Sequence, residues 1–303
     1  MNAMTRRDFI ALAGGLGAAT LLPQLGAAQT AGSLITRPIP STGERVPAVG
    51  LGTARVFDVG DDSTKLAELG DVLRDLVAGG GKIIDTASSY GSAEGVVGKL
   101  VAQAGLRQKV FISTKLEEPN AAELRLSLQE LRTKQVDLLH LHNVRDPQQS
   151  LERFRQWKAE GVCRYIGITS TFRRDYAAVE AVMAREKPDF LEIDYSLDRR
   201  EAEARLLPLA AEVKAAVLIA LPFGRGRLFR TVRGKALPEW AKEFDAGSWA
   251  QFFLKFLLGN TTVTAVIPGT ANARHMIDNL GAMQGRLPDA AQRKRMVALL
   301  QSL

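Results

Sequence analysis

Eight short apolar runs, each closing on polar or Gly-rich punctuation and separated by helix-like stretches, constrain this chain most. They fall at 46–52, 82–85, 110–115, 136–142, 163–169, 190–194, 216–221 and 264–267. Runs of that length read as buried strands. Between them, 63–78 sets Leu66, Leu69, Leu73, Leu76 and Val77 on one face and stops at Gly79-Gly80-Gly81, the pattern of an amphipathic helix. Asn120 caps a stretch in which Leu124, Leu128 and Leu131 align, and Asp146-Pro147 opens another, proline suiting the first helical position. The last helices are expected near 272–282 and 288–300. Strand and helix alternating in this way predict an α/β fold, parallel βα units closed into a (β/α)8 TIM barrel. Thr42-Gly43-Glu44, lying between Ile39 and Val46, is a turn signal. The segment 222–247, basic and then aromatic, is the longest connection and the best lid candidate.

With 303 residues, 46% of them hydrophobic, one barrel and a leader fit better than two domains. The net charge of +7 comes from scattered basic residues without interleaved aromatics, so nucleic acid is not an expected partner. The single cysteine, Cys163, has no partner for an internal disulfide and reads as a small buried hydrophobe. Only three histidines are present, His140, His142 and His275, and no Cys/His spacing suits zinc, so no metal is expected.

The chain opens with Thr5-Arg6-Arg7-Asp8-Phe9-Ile10, a modest glycine-containing apolar stretch, and Gly26-Ala27-Ala28. Paired arginines ahead of such a stretch read as a twin-arginine export signal over 1–28, cleaved after Ala28. The apolar part is short for a bilayer span, so stable membrane insertion is not expected, although an uncleaved anchor is the alternative. The expectation is a periplasmic or exported protein that meets the twin-arginine machinery, with a barrel domain over 34–303.

Chemistry in parallel barrels collects where strands end. Asp85 and Tyr90 follow one run, Lys115 closes the next and His142 the one after. Taken singly, the Asp reads as a helix cap, the Lys as solvated, the Tyr as packing and the His as structural. Four such residues at matching strand ends point to one shared mouth. His140 faces the interior with His142, two residues away, and reads as a satisfied interior histidine.

Asp85-Thr86-Ala87-Ser88-Ser89-Tyr90-Gly91, the closing Lys115, and Asp137-Leu138-Leu139-His140-Leu141-His142 resemble the aldo-keto reductases. The resemblance runs on through Arg164-Tyr165-Ile166-Gly167-Ile168-Thr169-Ser170, Gly224-Arg225-Gly226, Ile267-Pro268-Gly269-Thr270 and Asp278-Asn279-Leu280, covering roughly 34–300. It implies a barrel with an N-terminal β-hairpin at its bottom and reduction of an aldehyde or ketone by a nicotinamide cofactor. Tyr90 would donate the proton, and Lys115 would lower the phenol's pKa from its usual value near 10. Asp85 would pair with Lys115, and His142 would donate to the carbonyl oxygen.

The same resemblance places Gly52, Thr53, Thr169, Ser170 and Glu192 at the cofactor. Thr169-Ser170 stand where the family usually has Ser-Asn holding the carboxamide, and Glu192 where Gln is common. An acid in place of an amide loses a donor unless protonated. The aromatic ring that often stacks on the nicotinamide is missing, and Leu221 or Phe223 takes that place. Gly224 and Gly226 allow close approach to the pyrophosphate, with Arg225 as charge partner; an ordinary Gly-rich turn is the alternative. Pro268, Gly269 and Thr270 would begin the adenosine phosphate site. Many relatives carry Lys at the place of Gly269 and Arg at that of His275; here Thr270, Arg274 and His275 remain. NADP(H) is therefore the expected cofactor, with NAD(H) a contender. Asp278 and Asn279 resemble the adenine-contacting pair or are solvated helix residues. Asn143 replaces a frequent Trp, which leaves the identity of the small-molecule carbonyl open. A nicotinamide-binding subunit or sensor without catalysis is the competing reading.

Overall fold

The computed structural model describes residues 33–144 and 146–303. The proposed leader, 1–28, lies outside them. Thr36–Pro38 (β1) and Arg45–Pro47 (β2) form an antiparallel hairpin. Eight parallel strands follow: Leu51–Gly52 (β3), Ile83–Asp85 (β4), Phe111–Leu116 (β5), Val136–His142 (β6), Cys163–Ser170 (β7), Phe190–Asp194 (β8), Ala216–Ala220 (β9) and Ala265–Val266 (β10). They pair in sequence order. The ring closes where the first strand meets the last, through bridges Val49↔Val266 and Gly52↔Gly269. The expected barrel is thus present.

Helices Ser63–Ala78 (α1), Ala93–Gln103 (α2), Ala121–Glu130 (α3), Pro147–Ala159 (α4), Tyr176–Glu186 (α5), Leu206–Glu212 (α6), Arg227–Thr231 (α7), Trp249–Leu258 (α8), Ala273–Leu280 (α9) and Ala290–Gln301 (α10) cover it. Several of them start at side-chain caps. Asp62 accepts from Thr64 and Lys65 N–H at α1, Asn120 from Ala122 and Glu123 at α3, and Asn272 from Arg274 and His275 at α9. Each satisfies N–H groups that a helix start leaves free.

The wall strands are buried on both faces, which is why they read as continuous apolar runs. Alternation divides the interior into storeys. Near the strand starts, Ile83, Phe111, Leu138, Tyr165, Phe190 and Ala216 form an apolar layer with Ile39 and Val46 of the hairpin. Toward the strand ends, the inward positions become Asp85, Lys115, His140, Glu192 and Thr169, all buried. The hairpin sits at the floor as expected: Glu44 pairs with Arg164 and accepts from Tyr165 Oη at 2.6 Å, and Thr42 Oγ1 lies 2.8 Å from the same phenol.

Two expectations need correction. The run at 46–52 is not one strand, because Val46 belongs to the hairpin and only Leu51–Gly52 joins the barrel. The 222–247 connection is not a free lid. It carries α7 and a 3-10 turn at Glu239–Phe244, whose Ala241 and Phe244 are buried and whose Trp240 ring packs 5.5 Å from Phe252 on α8.

Candidate active site

Burial of Lys115 organises the mouth. Its side chain is fully enclosed, and Nζ donates to Asp85 Oδ2 and, at 2.9 Å, to the Thr86 carbonyl. Glu192 Oε2 lies 3.3 Å away from the far side of the lumen, without the alignment of a hydrogen bond. Ser113 Oγ donates to the other Asp85 oxygen at 2.8 Å. Burial opposes the ammonium charge, but Asp85 and Glu192 together hold its pKa above the ordinary lysine value. The expected Asp85–Lys115 pair is present, buried and charged.

Tyr90 is brought over that ammonium by the turn after β4. Gly91 takes φ 61°, and a Cβ there would meet Asp58 Oδ1 at 2.4 Å. That same Asp58 oxygen accepts from Ser92 N–H and Ser92 Oγ, each at 2.9 Å, and fixes the turn. Lys115 Nζ comes to lie 5.4 Å from the Tyr90 ring centre. The phenol is nevertheless not acidified. Burial raises its pKa to about 12; Lys115 pulls it down, while Asp85 and Glu192 push it up. The expectation that the lysine leaves a lowered pKa is corrected: burial of the phenol outweighs the pull of Lys115. Tyr90 is held as a neutral donor.

His142 lies across from it, ring centres 6.0 Å apart and edge to face. Its Nδ1 is 2.6 Å from Glu117 Oε1, which also accepts from Ser89 Oγ at 3.0 Å. Burial and then Lys115 lower the imidazole pKa to about 4 despite Glu117, so the ring is neutral. A carboxylate at Nδ1 requires the proton there, leaving Nε2 without one. Donation from His142 to a carbonyl, the sequence expectation, would need the opposite tautomer, with the proton on Nε2.

His140 is not the satisfied histidine expected. Neither ring nitrogen completes a hydrogen bond, and Nε2 lies 3.6 Å from Glu192 Oε2. A Cβ on Gly167, its register partner, would meet Nδ1 at 2.5 Å, so glycine there leaves the ring its space. Burial, aided by Lys115, holds the imidazole pKa well below the usual histidine range. Asp85, His140 and Glu192 place ligand atoms within 4.8 Å of one another, a spacing a metal ion could use. The Lys115 ammonium, in contact with both carboxylates, already takes the cation's place.

The remaining expected residues fall around the rim. Thr169 and Ser170 end β7, buried, and Ser170 Oγ donates to Asp175 at 2.8 Å. Gly52 bridges Gly269, and Thr53 is buried beside them with Oγ1 unpartnered. Pro268 and Thr270 flank that bridge, Thr270 Oγ1 accepting from Asn272 N–H at 3.1 Å. Arg274 and His275 are exposed in the first turn of α9. Asp278 is engaged by Ser248 Oγ and Gln251 Nε2, each at 2.8 Å, and Asn279 is buried, so neither is a solvated helix residue. Gly224, Arg225 and Gly226 all take positive φ, with Arg225 exposed. Of the two candidates for the nicotinamide face, Phe223 packs outward, 4.7 Å from the Phe229 ring and 6.5 Å from Phe253, whereas Leu221 borders the interior cluster. Leu221 is thus the one of the two that lies next to the lumen.

Two residues escaped the sequence reading. Glu117, two past Lys115, faces the same side by strand alternation, which was a usable signal. Arg227 ties the Gly-rich turn to the wall through Asp198 Oδ2 at 2.5 Å and keeps a buried Nη2 without a partner; no pattern in the sequence marks it.

The profile of the Aldo/keto reductase family matches residues 48–299. Methylglyoxal reductase DkgB of Escherichia coli O157:H7 is 30% identical, over 84% of this chain and 93% of its own. Methylglyoxal reductase YeaE of Escherichia coli K12 is 28% identical, over 81% and 88%. Among solved structures, an aldo-keto reductase from Klebsiella pneumoniae in complex with NADPH superposes with a TM-score of 0.75 at 24% identity, covering 88% of this chain and 95% of that one. With the buried Asp85–Lys115 pair beneath Tyr90 and beside His142 at the strand ends, these likenesses make the chain a member of the aldo/keto reductase family, and so an oxidoreductase.

Proposed function

We propose that this enzyme reduces a small aldehyde or ketone with NADP(H), Tyr90 being the proton donor. The observation that carries the reading is a neutral phenol half-buried over a locked ammonium, 5.4 Å from Nζ to the ring centre. The rim fits a dinucleotide: Thr53 Oγ1 and Glu192 Oε2 are buried acceptors without partners, and the capped start of α9 presents Arg274 and His275 for a phosphate. When bound, the nicotinamide supplies the hydride.

The chain's own groups handle the oxygen. As charge builds there, the Tyr90 O–H gives up its proton, and Lys115 stabilises the phenolate left behind. The enclosed Asp85–Lys115 pair needs no rearrangement during this step. Neutral His142, fixed by Glu117, shapes the opposite wall. The two relatives named methylglyoxal reductases support a small reactive aldehyde as the first substrate to offer. The Tyr90→Phe variant should lose about 10²–10⁴-fold in kcat while still quenching NADPH fluorescence on binding. Turnover at the parental rate would remove Tyr90 from its role.

Export is part of the proposal, supported by Arg6-Arg7 and the apolar stretch that follows. No helix among the described residues is long and apolar enough to cross a membrane. Cell fractionation should find the parent outside the cytoplasm and the Arg6→Lys/Arg7→Lys double variant inside it; equal distributions would refute the signal.

A further inference from the structure

Glu192 is surrounded by few charges, and their tally is uneven. Among the described residues, Lys115 on β5 is the only cation against it. Asp85 on β4 is a second carboxylate on the same ammonium. From β6 come His140, 3.6 Å away, and neutral His142; Tyr90 lies above, neutral. The flanking strands β7 and β9 place Thr169 and Leu218 beside it in register, neither of which titrates. Glu192 is 2% exposed, and its Oε2 makes no hydrogen bond. Two enclosed carboxylates sharing one ammonium cannot both be ionised cheaply, so the cluster keeps one proton. Asp85 takes donation from both Lys115 and Ser113, whereas Glu192 Oε2 takes none, so the proton belongs to Glu192.

We infer that Glu192 exchanges its proton according to the charge of the bound cofactor, keeping it beside the neutral reduced nicotinamide and releasing it to solvent when the cationic oxidised ring binds. The inference rests on the nicotinamide reading given above. In the binding step the carboxyl O–H bond breaks, the electron pair stays on the carboxylate, the proton leaves to bulk water, and nothing is oxidised or reduced. The position suits the exchange. Burial first, and Asp85 second, raise this carboxyl's pKa to about 8 against the pull of Lys115, so it sits close to neutrality. A cation arriving nearby raises an acid's dissociation constant about 10- to 1000-fold, and about 100-fold or more empties the site at pH 7. An amide at this position would have no proton to release.

Isothermal titration calorimetry of the purified enzyme with NADP⁺ and with NADPH, in two buffers of different ionisation enthalpy, counts the protons. Phosphate contacts are common to both dinucleotides and cancel in the difference. At pH 7 the parent should release about one proton more with NADP⁺ than with NADPH, and the excess should vanish by about pH 10, where Glu192 is already ionised. From about pH 6 to pH 8, the affinity ratio should move toward NADP⁺ by up to tenfold per pH unit. Glu192→Gln should bind both forms with equal proton counts. Equal counts in the parent, or an excess that survives in Glu192→Gln or at high pH, would overturn the inference and leave the cofactor reading intact. The parent's own pH series decides even if the variant does not fold. Absence of binding by either dinucleotide would defeat the nicotinamide reading, and this inference with it.

Discussion

Two lysines are wholly enclosed in this barrel, Lys115 in the wall and Lys255 on α8 outside it, and they behave in opposite ways. Lys115 touches two carboxylates and is held above the ordinary lysine pKa. Lys255 Nζ has only backbone carbonyls, Gln284 O at 2.5 Å and Arg286 O at 2.8 Å, and burial pulls its pKa down to about 8 against the distant help of Asp245. Enclosure alone therefore does not decide a lysine's charge. Full carboxylate partners lock it, as a reaction centre requires; carbonyls merely tolerate it, which suffices to strap a loop to a helix. Tyr90 follows the same logic: burial of the phenol outweighs the pull of the neighbouring cation.

The largest break in this comparison is Lys115→Met. It strands Asp85 and Glu192 without a cation and should cost about 3 kcal/mol of stability, together with a loss of at least about 10²-fold in kcat. Denaturant unfolding and steady-state assays read the two effects, and a variant as stable and as fast as the parent would dissolve the distinction. Lys255→Met should cost less, about 1–3 kcal/mol for two abandoned carbonyls, with kcat unchanged; a fall in kcat would tie α8 to the chemistry.

The smallest effects lie in pH dependence, where the signs differ. The folded Glu192 pKa of about 8 stands above its ordinary 4.5, so its contribution is full below 4.5 and lost as pH rises to 8. For Lys255 the folded value of about 8 is below the ordinary 10.5. Between those values the unfolded chain holds the proton and the folded one does not, so stability gains as pH rises from 8 to 10.5. Lys115, raised above 10.5, contributes throughout both windows. Thermal melts should show Glu192→Gln flattening the lower arm and Lys255→Met the upper one. If either substitution flattens the other's arm, the assignment is wrong.

Much of this was legible in the chain. Strand alternation placed Asp85, Lys115, His140 and His142 inside, and the turn residues placed Tyr90, because local periodicity determines which way a wall residue faces. The 46–52 run misled because floor and wall both bury apolar side chains, so hydrophobicity continues where the element changes. The Tyr90 acidity was misjudged because it depends first on burial, and then on a sum over Lys115, Asp85 and Glu192, the last reaching across the lumen from β8. Glu117 could have been found from its place two residues past Lys115, whereas Arg227 depends on a contact between loops that no spacing encodes. The outward turn of Phe223 was set by the rings of Phe229 and Phe253, partners that only folding brings together.

The hairpin that Glu44 anchors to Arg164 and Tyr165 has a consequence for traffic. With Ile39 and Val46 packed into its apolar layer, the barrel is plugged at the floor, on the side away from the strand ends that carry Tyr90. Anything that reaches Tyr90 therefore approaches from the strand-end side, and the hairpin leaves that face as the one open to change without loosening the floor.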